Sequence, residues 1–164
     1  FTSIDNIASG DDMLLMYKIQ KEFPGKTAFL FHHHAAVTTY PAGTWKKFFN
    51  QRFRWASKAT HYDDKKILPV LLLVYFFNLV MLLLPFTALF PFAAAKFILI
   101  SWLMLIAIKT IAELPFMYDS ARFFNQQKLL WWFPLMQPFH ILYTVLAGFF
   151  GSVVKYEWKG RKVK

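Results

Sequence analysis

The sequence predicts an α-helical membrane protein, with apolar spans that follow a mixed, soluble-looking segment. Three observations predict this. Of the 164 residues, 57% are hydrophobic and only 17% charged, whereas a soluble domain is usually about half apolar and about a quarter charged. The departure is localised: Ile67 to Ala95 is 29 residues without Asp, Glu, Lys or Arg, and Leu129 to Val154 is another 26. A helix crosses a bilayer with about 20 mostly apolar residues, so both runs are long enough. Finally, Lys46, Lys47, Arg52, Arg54, Lys58, Lys65 and Lys66 stand just before the first run against only Asp63 and Asp64. Positive charge beside a span marks a cytoplasmic flank, and anionic lipid attracts it. The net charge of +10 is therefore assigned to membrane lipid as partner and not to nucleic acid.

Composition divides the chain. Residues 1–66 read as soluble, residues 67–154 as membrane, and residues 155–164 as a basic tail. The membrane region holds apolar segments at 67–90, 93–114 and 129–154, interrupted by Pro85, Pro91 and Lys96, with a polar connector from Pro115 to Lys128. The absence of cysteine excludes a disulfide framework and thiolate chemistry. No signal peptide opens the chain, and its start at Phe1 leads us to expect a preceding part. Topology is open at this stage. Three crossings would place the tail opposite the first zone, yet Lys155, Lys159, Arg161, Lys162 and Lys164 favour the cytoplasm. Pro134 and Pro138 are candidates to break the third segment into a re-entrant or interfacial piece.

Local signals place elements in the first zone. Ser9-Gly10-Asp11-Asp12 before Met13-Leu14-Leu15-Met16 reads as a helix start. Ala28 to Tyr40, apolar and β-branched up to Pro41, predicts a strand or two. Thr44 is placed to cap a helix over 44–60, after Pro41 and Gly43. That helix is amphipathic: Trp45, Phe48, Phe49, Phe53 and Ala56 form an apolar stripe, and Gln51, Arg54, Trp55 and Lys58 a polar one. A basic amphipathic helix ahead of a span suits the bilayer interface.

The polar stripe carries the strongest chemical signal, Gln51-Arg52-Phe53-Arg54-Trp55, a Q-x-x-R-W pattern. On a helix its three fixed residues share one side. Arg offers a planar fork of donors suited to phosphate, Gln adds hydrogen bonds, and Trp offers a platform for a sugar ring. The competing reading is an ordinary interfacial helix with Trp in the aromatic belt. Upstream, Gly10-Asp11-Asp12 pairs two carboxylates at a helix start, where the ionised form a general base needs is favoured. Here the simpler reading is a helix cap.

In this order, directly before membrane spans, the two motifs resemble family 2 membrane glycosyltransferases of the GT-A fold, the group of cellulose, chitin and hyaluronan synthases. The resemblance implies spans that follow the carboxyl-terminal part of an α/β GT-A domain with an interfacial helix, in a bacterial inner or plasma membrane, the catalytic part cytoplasmic. It implies an inverting transfer from a nucleotide-sugar donor to a polysaccharide or glycan acceptor. A lipid acceptor, as in ceramide glucosyltransferases, remains an alternative, as does a non-catalytic membrane subunit. Carried over by residue, Asp12 would be the base, Asp11 its supporting carboxylate, Gln51 and Arg54 the diphosphate contacts, and Trp55 the acceptor floor. The family's Mg²⁺ or Mn²⁺ sits on an Asp-x-Asp, which this chain lacks, so it alone is not expected to turn over. Accessory subunits and oligomeric state stay open.

Two further features have simpler readings. His32-His33-His34, on a strand, would point to alternate faces and not converge on one metal. Lys109 and Glu113, at i and i+4, are expected to form a structural ion pair.

Overall fold

The computed structural model describes residues 11–58, 67–90, 94–158 and 161–163. Within these, the side chains of 11–14, 152 and 156–163 lie outside the description. The described chain is predominantly helical: α1 (Asp11–Glu22), α2 (Trp45–Ala56), α3 (Ile67–Thr87), α4 (Ala95–Phe123) and α5 (Phe133–Val153). Short 3₁₀ turns occupy His33–Ala35 and Gln127–Trp131. The chain divides into two compact units, one of residues 1–72 and 146–164, the other of residues 73–145.

In the first unit, α1 ends in a tight turn. The Lys26 N–H donates to the Phe23 carbonyl at 3.2 Å across Pro24 and Gly25. Gly25 has φ +73°, the combination of a type II turn, where the position after Pro needs positive φ. The chain then runs without a strand to Thr44, which corrects the strand expected over 28–40. Apolar, β-branched character suits a strand only where a second strand pairs with it. Here the local bonds are those of a 3₁₀ turn instead, and the His34 N–H donates to His32 Nδ1 at 3.2 Å. The α/β character expected for this zone is not seen among its described residues. Thr44 does cap α2, its Oγ1 accepting from the Lys47 N–H at 3.2 Å. The described helix ends at Ala56, four residues short of the bound expected from the sequence, and residues 59 and 60 lie outside the description. The basic tail is more than a tail: Tyr156–Trp158 (β1) and Arg161–Val163 (β2) pair antiparallel, with Glu157 opposite Lys162 and Trp158 opposite Arg161.

The second unit is built on helices α3, α4 and α5. Prolines there do not break the helices where the sequence suggested. Pro85 lies inside α3, and having no N–H it leaves the Met81 carbonyl without its helical donor. The indole Nε1 of Trp102, on α4, donates to that carbonyl at 2.8 Å, which is how apolar spans tolerate proline. α4 runs through Pro115, so Pro115 to Phe123 is helix and not a polar connector. Its true stop lies at Asn125, whose φ is +55°. The Asn125 N–H donates to the Arg122 carbonyl at 3.2 Å, and the Gln126 N–H to the Ala121 carbonyl at 2.7 Å. This is the paired bonding of a Schellman cap. Likewise α5 is continuous through Pro138.

Polarity in this unit is inverted. Gln137, Asn78 and Lys109 are among its most buried side chains, beside Met81, Ile141 and Val145. Leu73, Phe97, Ile111, Phe116 and Leu135 are exposed. In water such a surface would be a liability. Facing lipid, it costs nothing, and polar groups must find partners inside.

Candidate functional site

The sequence-predicted residues fall on two helices. Asp11 and Asp12 open the described part of α1; their side chains lie outside the description, as does Gly10. Gln51, Arg54 and Trp55 all lie on α2. Gln51 and Arg54 are half-buried and Trp55 is 48% exposed.

Around Trp55 the structure revises the two-stripe picture. The Arg52 guanidinium sits 4.8 Å from the Trp55 ring centroid and 4.9 Å from that of Phe48. Residues 48, 52 and 55 thus form one row at i, i+4 and i+7, with the cation between two aromatic faces. Trp55 is therefore not purely a polar-stripe residue. Arg52, the variable position of the motif, covers part of the indole, and sequence reasoning missed it. The signal was present, since an arginine three and four residues from aromatics on a helix is placed to stack.

The last turn of α2 is fixed by contact with the last turn of α5. The Phe53 ring lies 5.8 Å from that of Phe150. Gly151 approaches so closely that a Cβ there would stand 2.7 Å from Ala56 Cβ and 3.0 Å from the Phe53 carbonyl oxygen. Ala147, one turn earlier on α5, is buried too. Small residues four apart let helix backbones approach. The apolar stripe of α2 is thus partly consumed by protein, which holds Gln51, Arg54 and Trp55 in a defined orientation. Ser57 closes the helix by donating its Oγ–H to the Arg54 carbonyl at 2.8 Å, and Lys58 beside it is buried.

A second polar cluster lies between α4 and α5. The Lys109 ammonium donates to Glu113 Oε1 at 2.6 Å and to Gln137 Oε1 at 2.9 Å, and stands 3.3 Å from His140 Nδ1. The Gln137 amide donates in turn to Glu113 Oε2 at 2.8 Å. The ammonium thus has two oxygen acceptors and a ring nitrogen within reach. The expected Lys109–Glu113 pair is present, joined by Gln137 and His140 from α5. Ionisable groups in a span are costly unless paired, and this arrangement neutralises both charges. The missed signal was the i, i+3 spacing of Gln137 and His140 inside an uncharged run.

Among the described residues no group of three His, Cys, Asp or Glu converges. His32 and His34 stack at 5.1 Å between ring centroids, on a 3₁₀ turn and not on the strand expected for them.

These features define a class, a predominantly helical protein with three helices, Ile67–Thr87, Ala95–Phe123 and Phe133–Gly151, long and apolar enough to cross a membrane. Comparison with protein-family models, curated proteins and solved structures gave no match.

Proposed function

We propose that the chain is the carboxyl-terminal part of an inverting membrane glycosyltransferase, with α2 as the helix that meets the leaving diphosphate. The observation that carries the reading is Gln51-x-x-Arg54-Trp55 on an amphipathic helix ahead of the first apolar span. A nucleoside diphosphate leaves with growing negative charge, and a guanidinium fork answers it with two parallel donors. Gln51, one turn earlier, adds neutral hydrogen bonds. The half-exposed Trp55 indole offers an apolar face to the C–H side of an acceptor sugar, and Arg52 restrains its rotamer.

In the reaction Asp12 takes the proton of the acceptor hydroxyl. The oxygen attacks the anomeric carbon from the face opposite the diphosphate, and the carbon–oxygen bond to the diphosphate breaks with its electron pair. The product is inverted, and the nucleoside diphosphate departs toward Arg54. Asp11 and Asp12 are the first described residues of α1, and a helix amino terminus there would favour ionised carboxylate. The site would face the cytoplasm, where nucleotide sugars are made.

The test uses the full-length protein in nanodiscs with labelled donor. Asp12→Asn keeps the shape but cannot accept the proton. Transfer should fall about 10²–10⁴-fold, the usual contribution of a general base, with nucleoside diphosphate binding retained. Arg54→Lys should weaken both binding and turnover, because a point charge cannot reproduce the fork. Near-normal transfer by Asp12→Asn would reduce the carboxylate pair to a helix cap and remove the enzyme reading's second support.

A further inference from the structure

We infer that the chain returns to the membrane face from which it set out: α3 and α4 cross and come back, and α5 lies along the face of α2 without crossing. The carboxyl-terminal hairpin then lies on the face that carries α2.

Three observations lead there. First, the last turn of α2 is docked on the last turn of α5, through Phe53 against Phe150 at 5.8 Å and Gly151 against Ala56. α2 carries Lys46, Lys47, Arg52 and Arg54, so it rests at the membrane surface or outside it, and the end of α5 must be at that same surface. Second, the sequence from 59 to 66 includes Asp63, Asp64, Lys65 and Lys66 in succession. Four consecutive charges are not threaded through hydrocarbon, so α3 begins on the face of α2. The start of α3 and the end of α5 therefore share a face, and the number of crossings between them is even. Three helices are long enough to cross, so one does not.

Third, charge and apolarity identify which. The stretch between α3 and α4, residues 88–94, is uncharged, and Lys96 is the only charged residue between positions 67 and 108. The stretch after the apolar part of α4 holds Arg122 and Lys128, and the tail holds Lys155, Lys159, Arg161, Lys162 and Lys164. The positive-inside tendency groups these with the basic flank of α2 and leaves 88–94 opposite. α3 and α4 are then the crossing pair. α5 is the least apolar of the three, opens after Trp131 and Trp132, and has Pro138, Gln137 and His140 in its first half. Gln137 is bonded to Lys109 and Glu113 of α4, so the polar first half of α5 is held against α4 by charged partners. β1 also packs on α2, which ties the hairpin to the same face. The inference itself does not depend on the enzymatic reading.

The chain has no cysteine, which makes single-cysteine mapping direct. Lys47→Cys, Leu89→Cys, Gln126→Cys and Lys164→Cys, each in the membrane-inserted protein, are labelled with an impermeant maleimide before and after permeabilisation. The expected result is one common side for positions 47, 126 and 164 and the other side for 89. Labelling of Lys164→Cys from the face opposite Lys47→Cys overturns the inference. Positions 47 and 164 together but 126 opposite would show an even count with α4 as the helix that does not cross, and would overturn the role given to α5. A reporter domain fused after Lys164 reads the same side without any substitution, so a cysteine variant that fails to insert does not blunt the test. Sugar transfer plays no part in the readout, so its loss leaves this result unchanged.

Discussion

Gly151 is the position where one methyl group should move a whole helix. An alanine Cβ there would stand 2.7 Å from Ala56 Cβ, 3.0 Å from the Phe53 carbonyl oxygen and 3.2 Å from the Ser57 amide nitrogen. Non-bonded carbons rest at about 3.5–4.0 Å, so α2 must withdraw by about 1 Å. Ala56 has no rotamer with which to retreat, and the other two atoms are backbone. Overpacking of this kind costs about 1–3 kcal/mol. Against it, Gly→Ala inside a helix gains up to about 1 kcal/mol of propensity. Gly148→Ala, at an exposed position on the same helix, supplies the same propensity gain and serves as the reference. The two variants should therefore differ by about 1–3 kcal/mol in thermal or denaturant unfolding in detergent, with Gly151→Ala the less stable. Adding Ala56→Gly should restore part of the difference and leave the 3.0 Å approach to the Phe53 oxygen. If Gly151→Ala and Gly148→Ala unfold together, the contact between α2 and the end of α5 does not hold these helices.

Other expectations concern the membrane unit. The protein should stay with the membrane through carbonate extraction, and recovery as a detergent-free soluble monomer would refute the lipid-facing reading of its exposed apolar surface. Gln137→Leu fills the same space but removes the bridge between Lys109 and Glu113. It should cost about 1–3 kcal/mol, the range for a hydrogen bond to a charged group, and an unfolding midpoint equal to wild type would deny the cluster any structural weight. Trp102→Phe keeps the ring but strips the donor from the Met81 carbonyl, for a loss of about 1 kcal/mol. A Pro85→Ala background supplies an N–H at that carbonyl and should make the same change nearly silent. Equal losses in both backgrounds would break the link between Pro85 and Trp102.

The sequence by itself determined what local chemistry decides. A run of 29 residues without charge can only be stable where lipid or protein replaces water. Thr44 caps α2 because a hydroxyl before Trp45 can reach the Lys47 amide, and Lys109 meets Glu113 because four residues make one helical turn. The placement of Gln51, Arg54 and Trp55 on one helix followed from the same periodicity. The misreadings share a cause. Ala28 to Tyr40 has strand-like residues, but a strand exists only through a pairing that sequence does not display. Pro115 looked like a boundary, yet α4 ends eight residues later, at Phe123, where Asn125 just beyond adopts positive φ and the Schellman bonds close. What only the tertiary structure decided joins residues far apart in the chain. Trp102 answers the carbonyl freed by Pro85, Gln137 and His140 complete the shell of Lys109, and Gly151 admits the backbone of α2. Each of these is a contact between elements, whose partners are chosen by packing and by the need to satisfy polar groups away from water. No periodicity within one segment contains that information.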